Sequence, residues 1–205
     1  MKFVRMAVGA LGTNCYIVHC SETRQAAVID PGGNAKEIIA YLNGERLKTV
    51  CIINTHGHAD HIAANDALKL ATGAPVMIHE ADAGMLTSPS LNLSNFIGGG
   101  LSLAPADRLL KEGDDIQVGN IRFKVIHTPG HTPGGICLSY KEFLFSGDTL
   151  FHESVGRTDL PGGSAGKLIA GIKEKLLVLP PRTKVFPGHG PETSIGWESA
   201  HNPFI

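Results

Sequence analysis

Apolar and β-branched residues come along this chain in short blocks of strand length, each closed by glycine or by a polar run. Residues 1–8, 14–19 and 25–29 are the first such blocks, separated by Gly9, Gly12 and a polar run at 21–24, and they predict a meander. Asp30, Pro31, Gly32 and Gly33 close the third block, and Asn34 stands where a cap would precede a helix carrying Ile38, Ile39 and Leu42 on one face. Residues 49–54 read T-V-C-I-I-N, a buried strand. Ile62, Ala63, Ala67, Leu68 and Ala71 then recur at helical spacing, with Gly73 as the stop. A strand over 75–78 and a helical segment over 80–86 follow, whereas 87–105 is rich in serine, asparagine and glycine and suits a lid or rim over a site.

Strands resume at 115–118, 121–126, 135–139 and 142–146, the first two joined by a tight Gly119-Asn120 hairpin, so a second meander is expected. Ser164 is placed to cap a helix with Leu168, Ile169, Ile172, Leu176 and Leu177 on one face, which Pro180 and Pro181 stop. Residues 183–186 predict the last strand, and the tail after it carries His201 as a structural or surface residue.

The length of 205 residues and the lack of any linker-like stretch favour a single domain over 1–205. With 42% hydrophobic and 18% charged residues and a formal net charge of -1, nothing steers the chain toward nucleic acid or a membrane surface. No stretch reaches the length of a membrane span or the pattern of a signal peptide, so a cytoplasmic location is expected. Cys15, Cys20, Cys51 and Cys137 fall in or near strands without paired spacing and read as buried free thiols.

Chemistry concentrates in T-H-G-H-A-D-H, residues 55–61, where three histidines and an aspartate follow a buried strand. A lone histidine at a strand end is usually structural, but this density of nitrogen and oxygen donors points to a transition metal. His56 and His58, two apart in extended backbone, aim the same way. Asp60 and His61 begin a helix and point elsewhere, which suggests a second ion beside the first. Downstream, H-T-P-G-H-T-P-G at 127–134 offers His131 from a loop, while His127 closes a strand and reads as packing, as does His79. Asp148 in S-G-D-T ends an apolar strand; alone it would be a turn residue, but beside the other donors a bridging carboxylate is the stronger reading. His189 leaves a glycine-flanked turn in P-G-H-G. Asp30 has two readings, a turn residue or an acceptor standing behind a ligand imidazole.

These motifs, in this order and over nearly the whole chain, resemble the metallo-β-lactamase-fold hydrolase superfamily. The G-R-T-D-L-P-G-G loop at 156–163 and the N-P-F ending resemble its small bacterial glyoxalase II-like members. The resemblance implies an α+β fold, a four-layer αββα sandwich with a metal site at one edge. It implies His56, His58 and His131 on a first ion, Asp60, His61 and His189 on a second, and Asp148 between them. The cofactors implied are two divalent transition metals, zinc first, with iron or manganese also compatible with the donors. The activity implied is hydrolysis of a small-molecule thioester, such as S-lactoylglutathione, by a hydroxide shared between the metals, with Asp60 also orienting that nucleophile. Family members that use glutathione carry a C-terminal helical domain with basic residues, and this chain ends soon after His189. Arg157 is then the cation offered to a substrate carboxylate, against the equal alternative of an ion pair with Asp159. Lactamases of this fold place cysteine where Asp148 stands, which turns the expectation away from antibiotic hydrolysis. Two rivals follow. Persulfide dioxygenases share the fold, Ala59 and the G-R-T-D loop, but use one iron on the positions of His56, His131 and Asp148; a metal-binding module without turnover is the other. The sequence assigns no oligomeric state.

Overall fold

The structure is a computed structural model that describes residues 1–96 and 99–205. Its first sheet has six strands in sequence order: β1 Lys2–Val8, β2 Thr13–His19, β3 Gln25–Ile29, β4 Lys48–Ile53, β5 Val76–His79 and β6 Arg108–Leu110. β1 to β3 form the expected antiparallel meander, after which β3 to β6 run parallel. β7 Asp115–Val118, β8 Ile121–His127, β9 Ile136–Tyr140 and β10 Phe143–Gly147 form the second meander. A two-stranded ribbon, β11 Leu150–Phe151 and β12 Ser154–Val155, follows it. β13 Lys184–Pro187 then lies parallel to β10, and β14 Thr193–Ser194 closes the edge, for a sheet order of β14-β13-β10-β9-β8-β7.

Three apolar clusters show the layering. Between the sheets, Tyr16, Val18, Ile29 and Ile53 meet Phe123, Val125, Leu138, Phe145 and Phe186. On the outer face of the first sheet, Ile17, Val28, Ile52 and Ile78 pack on Ile38 and Leu42 of α1 (Ala35–Gly44) and on Leu68. On the outer face of the second, Cys137, Leu144 and Val185 meet Leu168, Ile172 and Leu176. Helix, sheet, sheet, helix is the four-layer αββα sandwich. It explains why β2 is buried at every position, since both of its faces are covered, while β8 alternates buried Ile121, Phe123 and Val125 with exposed Arg122 and Lys124. All four cysteines are buried and free. Among the described residues, no helix is long and apolar enough to cross a membrane.

Several local expectations are corrected. The helix expected over 62–71 is two: α2 Ala59–Ile62 and α3 Asn65–Thr72. The Ala64 N–H donates to Pro31 O, 2.9 Å away, so the ladder breaks there; the stop at Gly73 stands, with φ 69. Asn34 makes no side-chain cap to α1; its Oδ1 accepts from Gly9 N at 2.9 Å and ties the helix start to the β1–β2 turn. Ser164 likewise makes no side-chain cap to α5 (Ala165–Gly171), which runs on into a wider turn over Ile172–Leu176. The segment after β5 begins as a tight 3-10 turn, Glu80–Asp82, before α4 Ala83–Thr87. The tail forms α6, Ile195–His201, capped by the Ser194 hydroxyl accepting from Trp197 N. His201 is exposed and stacks on Trp197, as a surface residue. Within 87–105, residues 97 and 98 lie outside the described residues; Asn92, Leu93 and Phe96 line a cavity beside the histidine cluster.

Candidate metal centre

Every predicted donor sits just past a strand at one edge of the sandwich. His56 and His58 follow β4, Asp60 and His61 lie in α2, and His131 hangs in the β8–β9 loop. Asp148 follows β10, and His189 follows β13. The turns are held from below. Asp30, at the end of β3 with φ 51, accepts from Thr55 N and from Thr55 Oγ1, both at 2.7 Å, and its Oδ2 lies 3.1 Å from His61 Nδ1. Asp30 is therefore the turn residue, and its carboxylate also stands close behind the His61 imidazole. Thr55 Oγ1 also faces His56 Nδ1 at 3.2 Å, and the Arg157 carbonyl faces His131 Nδ1 at 2.7 Å. These contacts turn Nε2 of His56, His61 and His131 inward.

The inward atoms form three overlapping groups, of which His56, His61 and Asp148 join the other two. Nitrogen atoms of His56, His58 and His131 lie within 4.8 Å of one another, and so do single donor atoms of Asp60, His61 and His189. Asp148 stands between them, its Oδ2 3.5 Å from His131 Nε2 and 3.7 Å from His189 Nε2, and its Oδ1 3.4 Å from His61 Nε2. His58 Nδ1 faces His131 Nε2 at 3.0 Å, and His61 Nε2 faces His189 Nε2 at 3.3 Å.

The donor set fits a pair of divalent cations. Imidazole nitrogens bound tetrahedrally at ~2.0–2.1 Å stand roughly 3.3 Å apart, the separation at which these nitrogens already meet. His56 Nε2 and Asp148 Oδ1 are buried and have no hydrogen-bond partner among the described residues. Burial and the surrounding imidazoles hold His56 well below its ordinary value, and burial and His131 push His58 down to about 3, so their lone pairs are free. Burial alone would lower His61, but Asp148, Asp30 and Asp60 raise it to about 10, because this pocket of carboxylates calls for positive charge. Burial would raise Asp60, yet His61 and His189 reverse it and hold the carboxyl well below the usual range.

Sequence reasoning missed three residues. Thr13 donates to Asp60 Oδ2 at 3.1 Å. Thr55 carries Asp30 to His56. Asp82, fully buried, accepts from Gly57 N (3.1 Å), Gly134 N (2.6 Å) and Thr132 Oγ1 (2.7 Å), joining the loop of His56 and His58 to the loop of His131. An aspartate after a strand carries no signal of such a clamp. Arg157 lines the cavity, and its guanidinium makes the two-pronged ion pair with Asp159 that was the other reading for it, at 2.8 and 2.7 Å, with both side chains exposed. His127 stacks on His79 at 3.9 Å, and both stay outside the donor groups.

Residues 8–189 match the profile of the Metallo-beta-lactamase superfamily. The chain belongs to the metallo-beta-lactamase superfamily. The probable metallo-hydrolase YqgX of Bacillus subtilis is 38% identical over 208 residues, covering 100% of this chain and 98% of the relative. The hydroxyacylglutathione hydrolase GloC of Haemophilus influenzae is 35% identical over 209 residues, covering 100% and 98%. Among solved structures of the superfamily, the BLEG-1 B3 metallo-beta-lactamase shares 42% identity at a TM-score of 0.95, covering 99% of each chain. TTHA1623 in a di-iron-bound form shares 37% at 0.86, covering 98% and 100%. ETHE1 from Myxococcus xanthus shares 30% at 0.80, covering 99% and 84%. As a superfamily member with these relatives, the chain is a metallo-hydrolase.

Proposed function

We propose that the chain, as a single cytoplasmic domain over 1–205, is a thioester hydrolase of the glyoxalase II type that works with two divalent ions, zinc first and iron or manganese as alternatives. His56, His58 and His131 would hold one ion, Asp60, His61 and His189 the other, with Asp148 reaching both. The observation that carries the reading is the complete second group, His61 Nε2 and His189 Nε2 converging at 3.3 Å beside Asp60, which a single ion on the first group would not need. The di-iron form of TTHA1623 and the name of GloC support it.

When bound, the ions supply an activated water near neutral pH and a Lewis acid for the developing oxyanion. The chain's residues do the rest. Asp60, held ionised and fixed by Thr13, is an acceptor that can orient the attacking water from the cavity side. Water adds to the acyl carbon, the C–S bond breaks, and the products are a carboxylate, a thiol and a proton. A thiol of pKa ~8.5 leaves as thiolate without a protein acid.

The likeness to ETHE1, with Ala59 and the G-R-T-D loop, favours one second reading, a persulfide dioxygenase on one iron. The test is metal analysis of the purified protein with assays on S-lactoylglutathione, a neutral thioester, glutathione persulfide with oxygen uptake, and a β-lactam, the last because of the likeness to BLEG-1. Two ions and thioester turnover are expected, with His189→Ala losing one ion and most of the activity. One ion, unchanged in His189→Ala, with oxygen uptake on the persulfide, replaces the hydrolase by the dioxygenase.

A further inference from the structure

The donor groups open on a cavity of about 640 Å³ whose remaining wall is mostly hydrocarbon. Leu11 comes from the β1–β2 turn, Leu93 and Phe96 from the 87–105 loop, Phe151 and Val155 from the β11–β12 ribbon, and Leu160 from the loop after it. Leu11 is 57% and Phe96 81% exposed, so the wall spends apolar surface on water where a folded chain gains nothing from it. Two of the wall's polar side chains, Asn92 and Arg157, are already engaged, and Ser154 adds one small hydroxyl. Asn92 is buried and donates to Met85 O and Leu101 O, both at 2.9 Å. Arg157 is the one Lys or Arg among the described lining residues, and Asp159 neutralises it.

Resting on the thioester reading, we infer that the non-reacting part of the substrate is an uncharged apolar group, an alkyl or aryl portion of a thioester, and not a charged tripeptide. A glutathione thioester brings carboxylates that would meet hydrocarbon and a cation already paired with Asp159. Desolvating a carboxylate there without a partner is unfavourable. An alkyl chain on the same wall gains with each methylene it buries, and the cavity is in the range of small-molecule sites. The β11–β12 ribbon, inserted between Asp148 and Arg157, is the element that turns a metal edge into a lined pocket.

The test uses the metal-loaded enzyme and two series on neutral thioesters. One lengthens the acyl group from acetyl to octanoyl on N-acetylcysteamine; the other keeps acetyl and lengthens an alkyl thiol. The kcat/KM is expected to rise roughly fourfold per methylene along the series whose group meets the wall, until the cavity is full. The octanoyl or long-thiol ester should exceed S-lactoylglutathione. Phe96→Ser and Leu11→Ser, both at exposed positions, should each lower the long-to-short ratio several-fold. Calorimetry with non-cleavable thioethers of the same lengths reads the wall without turnover, and affinity should rise with length with a negative heat-capacity change. A flat dependence in both series, or thioether affinity indifferent to length, overturns the apolar assignment while leaving the hydrolase intact. Absence of any thioester turnover with length-dependent thioether binding would instead leave the pocket standing and remove the thioester reading.

Discussion

Asp148 stands between the donor groups, with one oxygen toward His61 and the other between His131 and His189, and is proposed to serve both ions. Asp148→Ala should therefore lower the affinity for both ions, whereas His61→Ala weakens one; metal content by mass spectrometry of the two purified variants makes the comparison. Equal loss in both would show that the carboxylate serves a single ion. The donors were legible in the sequence because they come in short motifs, where the backbone period alone aligns His56 with His58. Asp30 was half legible: its turn shows in D-P-G-G, but its bond to Thr55 and approach to His61 depend on β3 lying beside β4. Thr13 was not, because its partner Asp60 is 47 residues away and a threonine in a strand is ordinary. For Arg157 the sequence left two partners open, and the structure shows the nearer of them, Asp159 two residues on, holding Nε and Nη2.

At the scale of elements, most long strands came out within a residue or two, while β6, β11, β12 and β14 did not. Those four have two or three residues each, too few to show a period, and they exist because neighbouring backbone offers a partner. The same cause hid the clamp at the turn Glu80–Asp82. In Asp82→Ala the amides of Gly57 and Gly134 lose their acceptor inside the protein, at about 1–3 kcal/mol for each group left unpaired. The two donor loops are then tied only by the Ile136 N–H to Thr55 O bond and through the donors themselves, so denaturant unfolding should show reduced stability, and metal titration should show weaker binding of the first ion. Lost stability with unchanged metal affinity would reduce Asp82 to a packing role. The ends of β5 and β8 make a second case. His79 stacks on His127 and accepts from Ala81 N, and burial and His127 lower its pKa against the pull of Glu80, Glu112 and Asp114. Above the ordinary value of about 6.5 neither folded nor unfolded chain is protonated there, and the stability is complete. As the pH falls below it the unfolded chain takes a proton that the folded one refuses, so stability drops toward the folded pKa. Tm measured at pH 7.5 and 5.5 should fall less in His79→Gln than in the parent; an equal fall would place the acid sensitivity elsewhere.

On the scale of the whole molecule, the donors divide by sheet. His56, His58, Asp60 and His61 leave the first sheet after β4, whereas His131, Asp148 and His189 leave the second after β8, β10 and β13. Each proposed ion therefore takes ligands from both sheets and fastens the sandwich along the edge where its apolar filling ends. The fastening carries a measurable free energy, because a ligand bound only by the folded chain stabilises it by about 2.7 kcal/mol when free metal is a hundredfold above Kd. For a chain of this size that is roughly 5–10 °C in Tm for each ion. Removing metal with a chelator should lower Tm by that order, and titrating it back should restore Tm in two steps, one for each equivalent. The carboxylates Asp30, Asp60 and Asp148 around buried His61 raise its pKa to about 10, so without metal a proton on His61 offsets their charge and the second ion takes over that role. His189→Ala should keep the first step and lose most of the second. A single step complete at one equivalent, identical in His189→Ala, would mean that one ion holds the sheets together and that Asp60 and His189 only complete the pocket wall.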